Sequence, residues 1–255
     1  MSVPAGVAGR KIFLLRPHSV IKEEMLDILI MAGYETYTIF DEVRAQKILV
    51  KFPDSIMFIN IDEGLKESEW EAYVKNIQGN PKTKECRLGI MSYNQDVDLM
   101  QKYLMILEIP CGYIQLKLGL KESTKIILGA LEANEARGQR KCIRAVCHDD
   151  VGSTLNYKDG TVVYHGDIQD ISASGLAVRF DKFTALPSNS ILKEVQLRLR
   201  GGLLITDMIL MGQRQDNKNI YILLFNNKLL SIDNKLVIHR YIKQCLQRYV
   251  DSLKV

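Results

Sequence analysis

The first 136 residues alternate between short apolar runs and segments with helical periodicity. Continuous apolar runs are typical of strands buried on both faces, whereas apolar residues that recur every three to four positions are typical of amphipathic helices. Five strands are predicted at residues 11–15, 34–40, 56–61, 87–91 and 112–116. Five helices are predicted between and after them, at residues 20–32, 42–52, 67–77, 96–107 and 122–136. This alternation predicts an α/β domain at residues 10–136, with a doubly wound parallel five-stranded sheet.

Local signals support the first two predicted helices. Ser19 and Asp41 are residue types that commonly cap helix N-termini. Gly33 follows the first helix, where glycine is favoured as a C-terminal stop, and Pro53 interrupts the second.

The pattern changes near residue 137, where helical periodicity gives way to alternation at period two. Short strands are predicted at residues 145–151, 161–168, 175–180, 191–200, 203–214 and 219–225. Turn signals such as Asp159-Gly160 and Gly201-Gly202 separate them. Helical spacing returns at about residues 232–253. We therefore predict a second domain at residues 138–255, an antiparallel β-barrel or sandwich with a closing C-terminal helix.

Composition and charge exclude several classes of protein. The formal net charge is +4, with no basic run or basic helix-turn-helix pattern, so direct DNA binding is not expected. No apolar run reaches the roughly 20 residues that a membrane span requires. The five cysteines are scattered without a Cys-x-x-Cys pair, which indicates reduced thiols, a cytoplasmic protein and no zinc site. No nucleophile–base–orienter set is evident, so we predict a protein without enzymatic activity or metal.

The candidate chemistry lies in two polar stretches of the second domain. Arg140 and Arg144 are four residues apart at its beginning, and Asp170, Ser172 and Gly175 stand in a turn between two apolar strands. A guanidinium group matches phosphate oxygens and the O6/N7 edge of guanine. A carboxylate can accept hydrogen bonds from the N–H groups of the opposite guanine edge. The two stretches together predict a site for an anionic, guanine-containing ligand.

Arg-x-x-x-Arg at 140–144, followed by Asp-x-Ser-x-x-Gly at 170–175 on a small barrel, resembles the PilZ domain, a family that binds cyclic di-GMP. The resemblance covers roughly residues 138–253. It implies that Arg140 and Arg144 clamp guanine and phosphate and that Asp170, Ser172 and Gly175 form the opposing wall, with Lys141 adding charge. The alternative is that the arginines are solvated linker charges and that residues 170–175 form an Asx-type turn without a ligand.

The first half resembles the receiver domain of response regulators in its layout. The lysine of that family corresponds to Lys117, its Ser/Thr to Ser92, and its phospho-acceptor to Asn60 or Asp62. The acidic pair that holds Mg²⁺ in that family is missing, and Arg16 stands there instead. Without a metal to neutralise charge, phosphoryl transfer is disfavoured. We therefore predict a degenerate receiver-like domain that serves for contacts.

These features predict a non-enzymatic cyclic di-GMP receptor that needs no cofactor besides this ligand. Because the arginines lie in the linker, ligand binding would reposition the receiver-like domain and so control an unidentified protein partner in motility, envelope, biofilm or regulatory machinery. The alternatives are a ligand-free protein–protein adaptor and a phosphorylated response regulator.

Overall fold

The computed structural model describes residues 9–147, 150, 152–181, 187–226 and 228–255. The chain divides into two compact units. The first contains the residues up to Lys141 together with Val250–Val255, and the second contains Cys142–Tyr249.

The first unit contains a five-stranded parallel sheet with strand order β2-β1-β3-β4-β5. This is the order of flavodoxin-like doubly wound folds. The strands are β1 (Lys11–Leu15), β2 (Thr36–Ile39), β3 (Ser55–Asn60), β4 (Arg87–Ser92) and β5 (Tyr113–Gln115). The helices are α1 (Ser19–Met31), α2 (Glu42–Lys51), α3 (Glu67–Gly79), α4 (Val97–Gln101) and α5 (Leu120–Ala133). The predicted alternation is confirmed.

Both faces of the central strand β1 are buried, as its continuous apolar run predicts. Ile12 and Leu14 share a core with α1 and α5, and Phe13 and Leu15 on the other face are also fully buried. Burial of both faces explains why the run lacks alternation.

Two local predictions in the first unit were wrong. Ser19 is the first residue of α1 and not its cap; the ring nitrogen Nδ1 of His18 instead accepts a hydrogen bond from the backbone N–H of Val20, at 3.3 Å. The fourth helix was predicted to run to residue 107 as one α-helix. It ends at Gln101 and continues as a π-helical turn over Lys102–Ile106. Asp41 does cap α2, since its side chain accepts from the Arg44 amide.

The second unit is an antiparallel β-barrel. Its strands are β6 (Ala145–Val146), β7 (Ser153–Asp159), β8 (Val162–Ser172), β9 (Gly175–Phe180), β10 (Ser190–Leu199), β11 (Gly202–Gln213) and β12 (Ile220–Phe225). The pairing runs β8-β7-β10-β11-β12-β9 and closes because β9 also pairs with β8. The short β6 pairs with β8 beyond the end of β7.

The sequence missed β7 and placed a strand at residues 145–151. Only Ala145–Val146 of that range forms a strand, while His148, Asp149 and Val151 lie outside the described residues. The other five predicted strands are confirmed with shifts of a few residues at their ends.

The predicted C-terminal helix, α6, spans Ile232–Asp251. Ile238, Tyr241, Ile242, Cys245 and Leu246 are buried along one face. A Cβ at Gly202 in β11 would approach a side-chain methyl of Val237 at 2.7 Å, so a glycine allows the helix to lie close to the barrel. The fold class predicted from the sequence, a receiver-like α/β unit followed by a PilZ-type barrel with a closing helix, is confirmed.

Candidate functional site

The Asp-x-Ser-x-x-Gly motif forms the hairpin between β8 and β9. Asp170 and Ser172 lie at the end of β8, Ala173 and Ser174 form the two-residue turn, and Gly175 begins β9 opposite Ser172. The short connection fixes the strand register, so the motif residues have defined positions relative to one another.

Ser172 stabilises this turn from within. Its hydroxyl donates to the Gly175 carbonyl at 3.1 Å, lies 3.0 Å from the Ser174 hydroxyl, and accepts from the Ser174 amide at 3.3 Å. The side chain is buried. These contacts give Ser172 a structural role in shaping the hairpin, whatever it contributes to a ligand.

Gly175 is required by packing and not by its backbone conformation. It is not among the residues with positive φ. It pairs with Leu224 in β12, and a Cβ would lie far inside van der Waals contact of the Leu223 carbonyl oxygen. Close packing of two strands therefore selects glycine here.

Asp170 is a carboxylate with only 12% of its side chain exposed. The pairing of β8 with β9 shifts register between Ile168 and Asp170, which is a β-bulge. Bulges of this kind redirect side chains and are common beside functional sites. Arg144 Nε lies 3.4 Å from Oδ1, and Arg214 Nη1 lies 3.5 Å from Oδ2. The carboxylate is thus flanked by two guanidinium groups, one at each oxygen.

Arg144 reaches Asp170 because of β6. Val146 is directly opposite Asp170 in the β6–β8 pairing, and the Cys147 amide donates to the Gln169 carbonyl at 2.8 Å, at the bulge. Arg144 is the residue immediately before this strand, with 41% of its side chain exposed. The structure therefore brings one arginine of the first motif to the aspartate of the second.

Arg140 and Lys141 belong to the first unit, whereas Arg144 belongs to the second. The residues just before them contact the first unit. Arg137 Nη2 donates to the Ala32 carbonyl at 2.8 Å, and its guanidinium carbon lies 5.4 Å from the centre of the Tyr34 ring. Arg137, just before the motif, is therefore packed against its own unit.

Arg214 also lies beside Asp170, although neither motif contains it. It follows β11, and its amide donates to the Ile220 carbonyl at 2.8 Å. Its Nε and Nη2 donate to the two oxygens of Asp216 at 2.6 and 2.7 Å, and these hydrogen bonds raise the Arg214 pKa above its usual value. The only sequence signal for Arg214 is its Arg-x-Asp spacing with Asp216, and that spacing is common in turns.

At the carboxyl-terminal edge of the first unit's sheet, Arg16, Asn60 and Asp62 are each paired within the protein. Arg16, with φ of +49°, forms an ion pair with Glu42, and the buried Asn60 side chain donates to the Arg16 carbonyl at 2.8 Å. Asp62 accepts from the Ser92 hydroxyl and, at 2.7 Å, from the Tyr93 amide. Each group at the would-be phosphorylation site therefore has a partner within the protein.

Lys117, the counterpart of the receiver lysine, lies in a 3₁₀ turn after β5. Its ammonium group is 3.3 Å from Gln95 Oε1. Over the described ranges, no group of three or more potential metal-ligating side chains occurs. None of the helices in these ranges has the length and apolarity needed to cross a membrane.

No known family model matches the sequence, and no curated protein matches it significantly. Solved structures do share similarity with it. The PilZ domain of Escherichia coli YcgR with c-di-GMP is 16% identical, with 45% of this chain and 99% of that chain covered and a TM-score of 0.36. The K. pneumonia MrkH–c-di-GMP complex is 20% identical, with 41% of this chain and 51% of that chain covered and a TM-score of 0.34.

A signal receiver domain of an HD domain-containing protein from Pseudomonas fluorescens is also similar. It is 15% identical, with 52% of this chain and 95% of that chain covered and a TM-score of 0.41. The fold itself is defined by the strand order and register given above. In architecture, the chain thus combines a receiver-like α/β domain with a PilZ-type barrel.

Proposed function

We propose that this protein is a non-enzymatic, cytoplasmic receptor for cyclic di-GMP. The observation that carries the proposal is the mostly buried Asp170 carboxylate at the bulged end of β8, with Arg144 3.4 Å from one of its oxygens. An acceptor and a cationic donor fork at this spacing fit a guanine edge next to a phosphate. The solved structures of YcgR and MrkH with c-di-GMP agree with this choice of ligand.

In this proposal, residues 10–136 form the receiver-like domain and residues 138–255 the barrel domain. Asp170 accepts the N1–H and N2–H groups of guanine, and Arg144 binds phosphate. Ser172 and Gly175 keep the hairpin in position, while Arg140 and Lys141 add cationic groups from the linker. The distances from Asp170 to Arg144 and Arg214 exceed the roughly 2.7–2.9 Å of strong charge-assisted hydrogen bonds.

Binding at this place would change the protein beyond the barrel. Arg140 and Arg144 belong to different units of the structure, so a ligand that engages both would restrict the linker between them. The altered domain arrangement would then be read by a protein partner. The ligand-free adaptor remains the competing hypothesis, since it requires the same fold but no ligand.

Isothermal titration with cyclic di-GMP tests the proposal. Loss of a charge-assisted hydrogen bond is worth about 1.5–3 kcal/mol, so Arg140→Ala, Arg144→Ala and Asp170→Asn should each weaken binding roughly ten- to hundredfold. Arg198→Ala, at an exposed position of β10, is the matched control and should bind normally. Circular dichroism verifies that each variant is folded.

Two outcomes would reject the receptor hypothesis. A flat titration of the natural protein supports the adaptor instead. Unchanged affinity in all three site variants shows that the ligand binds elsewhere. Cyclic di-AMP serves as a further control and should bind more weakly, since adenine presents an amino group where guanine presents O6.

A further inference from the structure

The barrel contains a second arginine at Asp170 that belongs to neither sequence motif. Arg214 Nη1 lies 3.5 Å from Oδ2 of Asp170, whereas Arg144 Nε lies 3.4 Å from Oδ1. Each carboxylate oxygen thus has its own neighbouring guanidinium group. A flat group that binds both oxygens would have Arg214 next to its contact at Oδ2 and Arg144 next to its contact at Oδ1.

The position of Arg214 is fixed by its own hairpin loop. Asp216 accepts two hydrogen bonds from Nε and Nη2, at 2.6 and 2.7 Å, which is the bidentate geometry that orients a guanidinium plane. The Arg214 amide also donates to the Ile220 carbonyl across the β11–β12 connection. With Nε and Nη2 directed at Asp216, Nη1 is the nitrogen that points to Asp170.

This arrangement matches the Watson–Crick edge of guanine. That edge presents an acceptor, O6, followed by two donors, N1–H and N2–H. A carboxylate that accepts both donors leaves O6 beside the oxygen that receives N1–H. If N1–H is bound by Oδ2 of Asp170, a donor beside Oδ2 faces O6, and Arg214 Nη1 is in that place.

We propose that Arg214 and Asp170 together read the Watson–Crick edge of guanine, with Asp170 accepting from N1–H and N2–H and Arg214 Nη1 donating to O6. Arg144, beside Oδ1, then lies toward the sugar-phosphate side of the base. Asp216 is a positioning residue that orients Arg214 and does not touch the ligand. This inference rests on the proposed function and assigns the residue that would set its base specificity.

Selectivity between cyclic di-GMP and cyclic di-AMP tests the proposal. Adenine carries an amino donor in place of O6, so it gains nothing from Arg214. In a competition assay against labelled cyclic di-GMP, Arg214→Ala should weaken cyclic di-GMP binding about tenfold or more and leave that of cyclic di-AMP unchanged. Arg214→Lys, which keeps a charged donor but loses the bidentate fork, should restore part of the loss.

Asp216→Asn and Arg198→Ala complete the experiment. Asp216→Asn should reduce the preference for guanine less than Arg214→Ala does, because it loosens the guanidinium without removing it. Arg198→Ala should change neither affinity. Unchanged cyclic di-GMP affinity in Arg214→Ala, or an equal loss for both dinucleotides, overturns the assignment of Arg214 while leaving the receptor hypothesis intact. Failure of the natural protein to bind cyclic di-GMP overturns both.

Discussion

The hydroxyl of Tyr241 donates a hydrogen bond to Asp150 Oδ2 at 3.1 Å, which joins the terminal helix to the barrel. The same oxygen accepts from the Ser153 hydroxyl at 2.8 Å and lies 2.9 Å from Arg200 Nε and 3.0 Å from Arg248 Nη1. Only 4% of the Asp150 side chain is exposed. One carboxylate therefore connects the start of β7, the β10–β11 turn and α6.

Asp150→Asn should destabilise the second unit without altering ligand contacts. The amide keeps the volume of the side chain but removes the charge that the two arginines neutralise, which should cost about 2 kcal/mol. Urea unfolding followed by circular dichroism measures the change. Asp159→Asn, at an exposed position of β7, is the matched control and should shift stability by no more than about 0.5 kcal/mol. Equal stability of the two variants would contradict a structural role for Asp150.

The Asp150 carboxylate should also affect how the stability of the second unit depends on pH. Burial tends to raise the Asp150 pKa, but hydrogen bonds from Ser153, Arg200 and Tyr241 outweigh it, so the pKa lies below its ordinary value of 3.8. A depressed carboxyl pKa contributes stability that is fully present above its ordinary, unfolded-state value, and this is lost as pH falls through the folded-state value. Thermal unfolding from pH 6 down to pH 3 should therefore show a smaller acid-induced decrease in Asp150→Asn than in the natural protein.

Gly175→Ala should lower the stability of the second unit, and any loss of ligand affinity should accompany that destabilisation. The added methyl group would collide with the Leu223 backbone, and overpacking of this kind costs about 1–3 kcal/mol. A lower unfolding temperature should therefore accompany any loss of ligand affinity, whereas Arg144→Ala should lose affinity alone. Gly129→Ala is the contrasting change. It lies on the exposed side of α5 with no atom near the new methyl group, and should stabilise by about 0.5–1 kcal/mol.

The sequence predicted the alternating unit well because its strands are buried on both faces and its helices are amphipathic. Continuous runs such as Lys11–Leu15 produce a strong signal from a few residues. The strand β7 was missed because only two of its three buried residues, Leu155 and Tyr157, are apolar, and the third is Ser153. Local pattern alone could not supply the tertiary pairing with β8 and β10 that forms this strand.

The sequence predicted only those residues of the candidate site that belong to the two short motifs. Arg144 and Asp170 belong to motifs, and in the structure Arg144 Nε lies 3.4 Å from Asp170 Oδ1. Arg214 is 44 residues from Asp170 and meets it only because the barrel closes. Its position beside Asp170 depends on the pairing of β11, β12, β9 and β8, which spacing along the chain does not encode. The sequence likewise could not show why residue 175 is a glycine, since the group that excludes a side chain there is the backbone of β12.

The receiver-like unit should not accept a phosphoryl group. Arg16 is paired with Glu42 where a Mg²⁺ site would need carboxylates, and Asp62 already accepts hydrogen bonds from Ser92 and Tyr93. Treatment with acetyl phosphate and Mg²⁺, followed by intact-mass spectrometry, should therefore leave the mass of the natural protein unchanged.

Arg16→Ala is the sharper version of this test, because it removes the cation but supplies no metal ligand. It should also remain unmodified, since phosphoryl transfer still lacks the metal that neutralises its developing charge. An Asp62→Asn variant provides the control for any signal at this site. A mass increase in the natural protein that maps to Asp62 and disappears in Asp62→Asn would show that the unit retains receiver activity despite Arg16.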